Sequence, residues 1–324
     1  MNSRPTVVWS DVDLVPEARE LLAVPSVTAI IQPGQAPENP GALDAVIAGS
    51  LLAGDAAFFA RAPRLRVFAR TGIGCDRVDL AAATAAGVCA VNTPEAPTES
   101  TAEFALGLML AVARRLPTGA TPLAAGRWQQ GASLIGFDLA GKTLGLVGCG
   151  RIGRRVAELA RAFWMHALAY DPFAAELPTG VGRAEGLGDL LAAADVISLH
   201  LPLSATTRHL LGAAEFARCK PGAILINTAR GPLVDELALL EALRAGRLDG
   251  AGIDVWDPEP PAADNPLLAL PNVIATPHMA AFTREGRRRS HLAATRQVLA
   301  LLRGERPACL LNPEVWPQRR QPSD

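Results

Sequence analysis

Apolar residues in this chain fall in short consecutive runs, and between the runs apolar positions recur three and four residues apart. Val7-Val8-Trp9, Ala45-Val46-Ile47-Ala48, Val67-Phe68-Ala69 and Val88-Cys89-Ala90-Val91 are unbroken apolar stretches, the pattern of strands buried on both faces. Residues 16–22 and 80–86 carry helical spacing between them. A strand and helix alternation of this kind predicts a parallel sheet with helices packed on its faces. A longer helical pattern runs over residues 100–115, with Glu103 three residues after Ser100 as in a capping box and Pro117 as its stop.

That helix is expected to lead into a second block of the same kind. Thr143 to Val147, Ala167 to Tyr170, Val196 to Leu199, Ala223 to Asn227, Ala251 to Asp254 and Val273 to Ala275 read as further strands, with a helix over 235–245 and one long helix over 283–302. The tail through Leu311-Asn312-Pro313 is expected to return to the first block. The fold class is therefore α/β, with two Rossmann-like domains, one flavodoxin-like, each built on a parallel sheet and with a cleft expected between them. Residues 1–99 and 291–324 are assigned to one discontinuous domain, and residues 100–290 to the other.

The second block opens with a specific chemical signal. Gly148-Cys149-Gly150-Arg151-Ile152-Gly153 follows an apolar strand and precedes a helical pattern. Gly148 permits the tight turn, Gly150 lets backbone amides approach a pyrophosphate, Gly153 brings helix and strand together, and the helix N-terminus offers unpaired N–H groups to the anion. These residues, with Arg151 and Ile152, form the expected cofactor cradle. The next strand ends in Asp171. A carboxylate there accepts hydrogen bonds from the adenosine ribose and repels a 2′-phosphate, so the pattern predicts NAD rather than NADP.

Composition narrows the alternatives. The chain has 324 residues, 49% of them hydrophobic, and a formal net charge of −1, enough apolar material for two cores and no cationic excess for nucleic acid. Arg287-Arg288-Arg289 reads as a solvated helix face. Five scattered cysteines, odd in number and without metal spacing, fit reduced thiols in a cytoplasmic protein with no disulfide and no metal site. Residues 1–5 run into a strand without a signal-peptide core, and no stretch is long and apolar enough to span a membrane.

Three ionisable residues follow three successive strands: Arg230, Glu259 and His278. Each alone fits a solvated loop. In an open α/β sheet, however, ligands bind beyond the carboxyl ends of the strands, where all three would converge.

With these residues in view the sequence resembles the D-isomer-specific 2-hydroxyacid dehydrogenases along nearly its whole length. The resemblance rests on Lys142 to Gly148 with the glycine turn, Asn227-Thr228-Ala229-Arg230-Gly231, Leu233-Val234-Asp235-Glu236, Asp254-Val255-Trp256-Asp257-Pro258-Glu259-Pro260 and Thr276-Pro277-His278, in the family's order. It implies an NAD-dependent oxidoreductase acting on a small 2-oxo or 2-hydroxy acid, with His278 as general acid and base, Glu259 as its carboxylate partner and Arg230 gripping the substrate. A protonated imidazole suits the developing alkoxide, a neighbouring carboxylate favours the imidazolium, and a guanidinium fork suits a carboxylate. Asp254 is implied near the nicotinamide carboxamide, with Thr98, His200, Thr228 and Ala229 also on the cofactor. Gly72, Ile73 and Gly74 are implied to hold the substrate carboxylate through backbone amides, together with Arg230 and His278. A homodimer through the NAD-binding domain and the segment from Pro117 to Phe137 is also implied.

Departures from the family pattern bear on the substrate. Position 49 is glycine where phosphoglycerate-specific relatives carry a phosphate-binding arginine, although Arg70 matches a second such arginine. Glu259 stands where formate-oxidising relatives have glutamine. Glyoxylate or hydroxypyruvate is favoured, with phosphoglycerate or phosphite oxidation and a non-catalytic NAD-sensing corepressor or scaffold as alternatives. Trp164 replaces a glycine in the turn before the second strand, and that turn is expected to have changed shape, because tryptophan at positive φ is strained.

Overall fold

The computed structural model describes residues 5–128 and 131–321. In chain order its first elements are β1 (Thr6–Ser10), α1 (Pro16–Leu22), β2 (Val27–Ile31), β3 (Ala45–Ala48), α2 (Ala56–Arg61), β4 (Val67–Arg70), α3 (Leu80–Ala85) and β5 (Cys89–Val91). Next come α4 (Thr98–Ala113), α5 (Leu116–Ala124), β6 (Thr143–Val147), α6 (Arg151–Arg161), β7 (His166–Tyr170), β8 (Val181–Arg183), α7 (Leu187–Ala193) and β9 (Val196–Leu199). The last are α8 (Ala213–Arg218), β10 (Ala223–Asn227), α9 (Glu236–Arg244), β11 (Leu248–Ile253), β12 (Val273–Ala275) and α10 (Arg284–Leu302). The chain divides into two compact units, Met1–Pro97 with Phe282–Asp324, and Thr98–Ala281.

The first unit is a five-stranded parallel sheet in the order β2-β1-β3-β4-β5. Successive strand residues point to opposite faces. Trp9, Val46 and Phe68 pack with Phe58 and Phe59 on one side, the three phenylalanine rings meeting edge to face. Val8, Ile47, Val67 and Ala69 face Ala18, Leu22, Leu292, Val298 and Leu301 on the other. Local signals end the helices: Asp55 accepts from Phe58 N at 2.7 Å, and Thr283 accepts from Gly286 N at 2.8 Å to start α10, as N-cap residues do. Leu311 N donates to Ala90 O and Asn312 Nδ2 to Val88 O, so the tail lies along the β5 edge. The three consecutive arginines are exposed but engaged. Arg287 donates to Asp13 O, Arg288 to Glu17 and Arg289 to Ala96 O.

The second unit is a seven-stranded parallel sheet in the order β12-β11-β10-β9-β6-β7-β8. Strand order reverses beside β6, which pairs with β9 on one side and β7 on the other, and such a reversal opens a crevice at the carboxyl ends of those strands. Ala102, Met109 and Val112 of α4 and Val156 and Ala160 of α6 cover one face over Leu144, Leu146, Ile224 and Ile226. The other face carries α7, α8 and α9.

Several elements depart from the sequence expectation. Helix α4 starts at Thr98, and Ser100 lies buried inside it rather than capping it. Its first turn is instead clasped from α6, where Arg155 Nε and Nη2 reach Glu99 at 2.6–3.0 Å. Pro117 does not end the helical region. After Arg115 at φ 50°, it sits in the first turn of α5, where its missing N–H costs nothing. The expected boundary at 290/291 falls within α10, and β2 and β8, mostly half-buried or exposed, are strands the sequence reading did not mark, although β2 carries the short apolar run Ala29-Ile30-Ile31. Gln129 and Gln130 of the expected dimer arm, and residues 322–324 of the tail, lie outside the described residues.

Candidate active site

Strands β10, β11 and β12 are neighbours, and the loops that follow them carry Arg230, Glu259 and His278. Each loop is tied down by a polar side chain, buried in the case of Asn227 and Asp254. After β10, Asn227 accepts from Ala229 N at 3.0 Å and donates to Arg230 O at 2.9 Å. After β11, Glu236 of α9 accepts from Asp257 N at 3.0 Å and Asn265 Nδ2 at 2.8 Å. After β12, Asp254 takes Thr276 Oγ1 at 2.6 Å, Met279 N at 2.9 Å and Ala280 N at 2.8 Å. Asp254 is wholly buried. Its own carbonyl receives His278 N at 2.8 Å, which helps hold His278 at φ 54°, a left-handed conformation that costs about 1–2 kcal/mol for such a residue.

The side chains brought together are a histidine and a carboxylate beside a guanidinium. His278 Nδ1 lies 2.9 Å from Glu259 Oε2, and Glu259 Oε1 accepts from Trp256 N at 3.1 Å. Burial by itself raises the Glu259 pKa, but the hydrogen bond and charge of His278, the Trp256 amide and the charge of Arg230 together hold it below the usual carboxylate range. An ionised Glu259 is an acceptor only, so Nδ1 of His278 carries the proton between them. The other ring nitrogen, Nε2, has no hydrogen-bond partner among the described residues and is the atom that can give or take a proton. Gly231 lets the β10 loop press against the next one: a Cβ there would stand 2.1 Å from Trp256 C. Gly231 and Glu236 have no local sequence signal for these roles because each acts through a contact with a distant segment, whereas Asn227 acts within its own loop.

At the carboxyl end of β6 the three glycines do three different things. Gly148 adopts φ +89°, and a Cβ on it would meet His200 O at 2.7 Å. Gly153 sits where a Cβ would strike Gly148 O at 2.4 Å. Gly150, the N-cap of α6, faces open space, where a side chain would intrude on anything docking at the helix N-terminus. Arg151 and Ile152 form the first turn of that helix. Asp171 accepts from Cys149 N at 2.8 Å through Oδ2 and from Phe173 N and Ala174 N through Oδ1, so it fixes the turn and presents its remaining lone pairs outward. His200 Nε2 pairs with Ser198 Oγ at 2.8 Å, and burial pushes the imidazole down to about 3, which keeps it neutral beside the turn.

In the first unit, Gly72, Ile73 and Gly74 follow β4. Their carbonyls accept from Thr93 N, Asn92 Nδ2 and Arg70 Nε respectively. None of their N–H groups donates to another described residue, so three amides remain for an anion.

The family model for the D-isomer specific 2-hydroxyacid dehydrogenase NAD binding domain matches residues 106–280. The chain belongs to the D-isomer-specific 2-hydroxyacid dehydrogenase family. Among its relatives is a D-3-phosphoglycerate dehydrogenase of Methanocaldococcus jannaschii, 42% identical over 80% of this chain and 50% of the relative. A glyoxylate reductase of Korarchaeum cryptofilum is 41% identical over 81% of this chain and 80% of the relative. The crystal structure of the TT0316 protein from Thermus thermophilus superposes with a TM-score of 0.88 at 39% identity, covering 94% of this chain and all of that one. The chain thus spans about half the length of the phosphoglycerate dehydrogenase and most of the glyoxylate reductase.

The second unit of this dehydrogenase-family chain fits NAD on its own geometry. Besides the open N-cap at Gly150, Thr98 Oγ1 and Thr228 Oγ1 are buried with no partner among the described residues. A buried hydroxyl without a partner carries a desolvation cost that a bound polar ligand can relieve. Ala229 lies in the loop held by Asn227. Asp254 is committed to the His278 loop by three hydrogen bonds, a role the sequence reading did not assign to it. The expected remodelling around Trp164 does not occur: the tryptophan takes φ 54° itself and points out, 77% exposed. No helix among the described residues is long and apolar enough to cross a membrane.

Proposed function

We propose that this chain interconverts a 2-oxo acid and a D-2-hydroxy acid with NAD, as a reductase of the glyoxylate or hydroxypyruvate type. The observation that carries this reading is the His278 Nδ1 to Glu259 Oε2 contact at 2.9 Å, with Nε2 left available. The glycine turn, Asp171, Thr98, His200, Thr228 and Ala229 would hold NADH, which would supply the hydride. His278 Nε2 donates a proton to the oxygen that becomes the hydroxyl and takes it back in the reverse direction. Glu259 stabilises the imidazolium and keeps the ring oriented. Arg230, whose Nη1 is steadied by Ala229 O at 2.6 Å, polarises the keto oxygen and grips the carboxylate, and the amides of Gly72, Ile73 and Gly74 complete the hold on that carboxylate.

The test is NADH oxidation by the purified chain against glyoxylate, hydroxypyruvate, pyruvate and branched and aromatic 2-oxo acids, with NADPH in parallel. Turnover with NADH that falls roughly 10²–10⁴-fold in His278→Ala is expected, the usual range for losing a general acid. A protein that binds NADH yet reduces none of these acids refutes the catalytic reading and favours a cofactor-sensing role.

A homodimer is part of the same proposal. Leu116, Leu123, Trp128 and Ile135 are exposed on one stretch of the second unit, more apolar surface than a short segment of a monomer usually offers to water. Gel filtration at micromolar concentration showing a monomer mass would overturn it.

A further inference from the structure

The first unit holds a pocket of ≈ 370 Å³ at the carboxyl ends of β1, β2 and β3, lined by Asp11, Val12, Gln35, Gly49, Ser50 and Leu51 with their immediate neighbours. Asp11 is the only charged residue in that lining. Its Oδ1 accepts from Gly49 N at 2.6 Å, while Oδ2 has no hydrogen-bond partner among the described residues. Position 49 offers no countercharge, and a Cβ there would come within 2.7 Å of Val12 Cγ1. The nearby Arg70 is buried, with Nε directed to Gly74 O and Nη1 to Leu52 O.

The pocket adjoins the loop of available amides. Thr71 N and Oγ1 both donate to Ala48 O, the residue before Gly49, at 2.9 and 3.1 Å. Strands β3 and β4 are paired neighbours, and adjacent strands lie about 4.8 Å apart. A 2-oxo acid whose carboxylate sits on the amides of Gly72, Ile73 and Gly74 would extend its side chain toward the Gly49 to Leu52 wall of this pocket, the wall to which the Asp11 carboxylate is hydrogen-bonded through Gly49 N.

Resting on the proposed function above, we infer that the pocket receives the substrate's side chain and selects a small, uncharged, hydrogen-bond-donating terminus, with Asp11 Oδ2 as acceptor, against a phosphate or second carboxylate. A hydroxyl or amide gains a hydrogen bond to a carboxylate, whereas an anion placed beside Asp11 meets a like charge in a partly desolvated site. Burial already raises the Asp11 pKa, opposed by the Gly49 amide and the charge of Arg70, and a second anion would add to that cost.

The experiment compares kcat/KM with NADH for glyoxylate, which has no side chain, hydroxypyruvate, which has a hydroxymethyl group, and 3-phosphohydroxypyruvate, in wild type and Asp11→Asn. Wild type is expected to favour hydroxypyruvate over its phosphate ester by more than tenfold. Asp11→Asn should narrow that ratio about tenfold, the size of one like-charge contact at a partly solvated distance of about 5 Å. The ratio cancels any general loss of activity in the variant. Comparable turnover of the two three-carbon acids by wild type overturns the inference whether or not the variant folds, as does an unchanged ratio in a folded Asp11→Asn. Reduction of glyoxylate alongside either result leaves the dehydrogenase reading standing. Failure to reduce any of the three removes that reading and the pocket assignment with it.

Discussion

Replacing Glu259 by glutamine removes one negative charge and leaves a side chain of the same shape. The amide oxygen can still accept from His278 Nδ1, so the ring stays oriented and the perturbation is mainly electrostatic. The two groups are 2.9 Å apart at their nearest atoms, with side chains 40% and 32% exposed. Unit charges about 4 Å apart interact by roughly 1 kcal/mol in bulk water and about 4 kcal/mol near a protein surface, and this exposure argues for the lower end. About 1.4 kcal/mol corresponds to one pH unit. Reduction needs the protonated ring and fails as pH rises. Without the carboxylate the protonated form is less favoured, so the alkaline limb of kcat/KM for keto-acid reduction should move about one unit toward lower pH. The acidic limb of the oxidation should move in the same direction, since it reports the same proton. Full pH profiles in both directions, for wild type and Glu259→Gln, read both limbs. Limbs that stay within about 0.3 unit of wild type, in a variant that still binds NADH, would refute the coupling between this pair.

Three further outcomes follow from the geometry. Gly150→Ala should melt with wild type, because nothing lies within 4 Å of the added Cβ, yet bind NADH more weakly, whereas Gly153→Ala, whose Cβ would stand 2.4 Å from Gly148 O, should lose stability and NADH affinity together; calorimetric titration and thermal melts on both variants separate the two. Trp164→Gly relieves a left-handed residue whose side chain is 77% exposed and should stabilise the chain by about 1 kcal/mol, read as a rise in Tm. His291 accepts from Val15 N at 3.2 Å, and burial, helped by Arg287 and opposed by Asp13, pushes its pKa from 6.5 to about 4. The folded chain therefore resists a proton that the unfolded chain accepts, so stability present above pH 6.5 is lost as pH falls toward 4, by at most about 3 kcal/mol. His291→Gln should show a flatter fall in melting temperature over that window, and parallel curves would count against it.

The parts legible in the sequence were those written locally. Buried parallel strands announce themselves as unbroken apolar runs, and Ala45–Ala48 and Ala223–Asn227 form as read because both faces of each strand are covered. Thr283 and Asp235 start helices at the expected places because an N-cap needs only its own next turn. Ser100 satisfied the same local rule and failed: α4 begins at Thr98, and the contact that its first turn makes is a distant one, from Arg155 to Glu99. Strand β8 escaped notice for the converse reason: it lies at a sheet edge, where burial is incomplete and Val181-Gly182-Arg183 needs no apolar run, whereas the other edge strand, β2, did carry one in Ala29-Ile30-Ile31 and was passed over. In the site, Arg230, Glu259 and His278 could be found from their positions after strands. Nothing local shows that Asp254 holds Thr276, Met279 and Ala280, since those residues lie 22 to 26 positions away.

The same contrast bears on how this fold accommodates different substrates. The loops bearing Arg230, Glu259 and His278 are tied down by hydrogen bonds through Asn227, Glu236 and Asp254, and His278 keeps a left-handed backbone within them. A change in any of these staples would strand a buried donor or acceptor, at a cost of about 1–3 kcal/mol. The pocket after β1, β2 and β3 is under less constraint: Gln35, Ser50 and Leu51 are exposed, and their side chains form no hydrogen bond within the described residues. Substitutions there can alter what the pocket accepts without disturbing proton transfer. Chemistry held on rigid loops and selectivity placed on replaceable side chains allow relatives named for glyoxylate and for phosphoglycerate to be nearly equally similar to this chain, at 41% and 42% identity. Overall identity therefore does not choose the substrate, and the Asp11→Asn comparison tests whether the residues around Asp11 and Gly49 do.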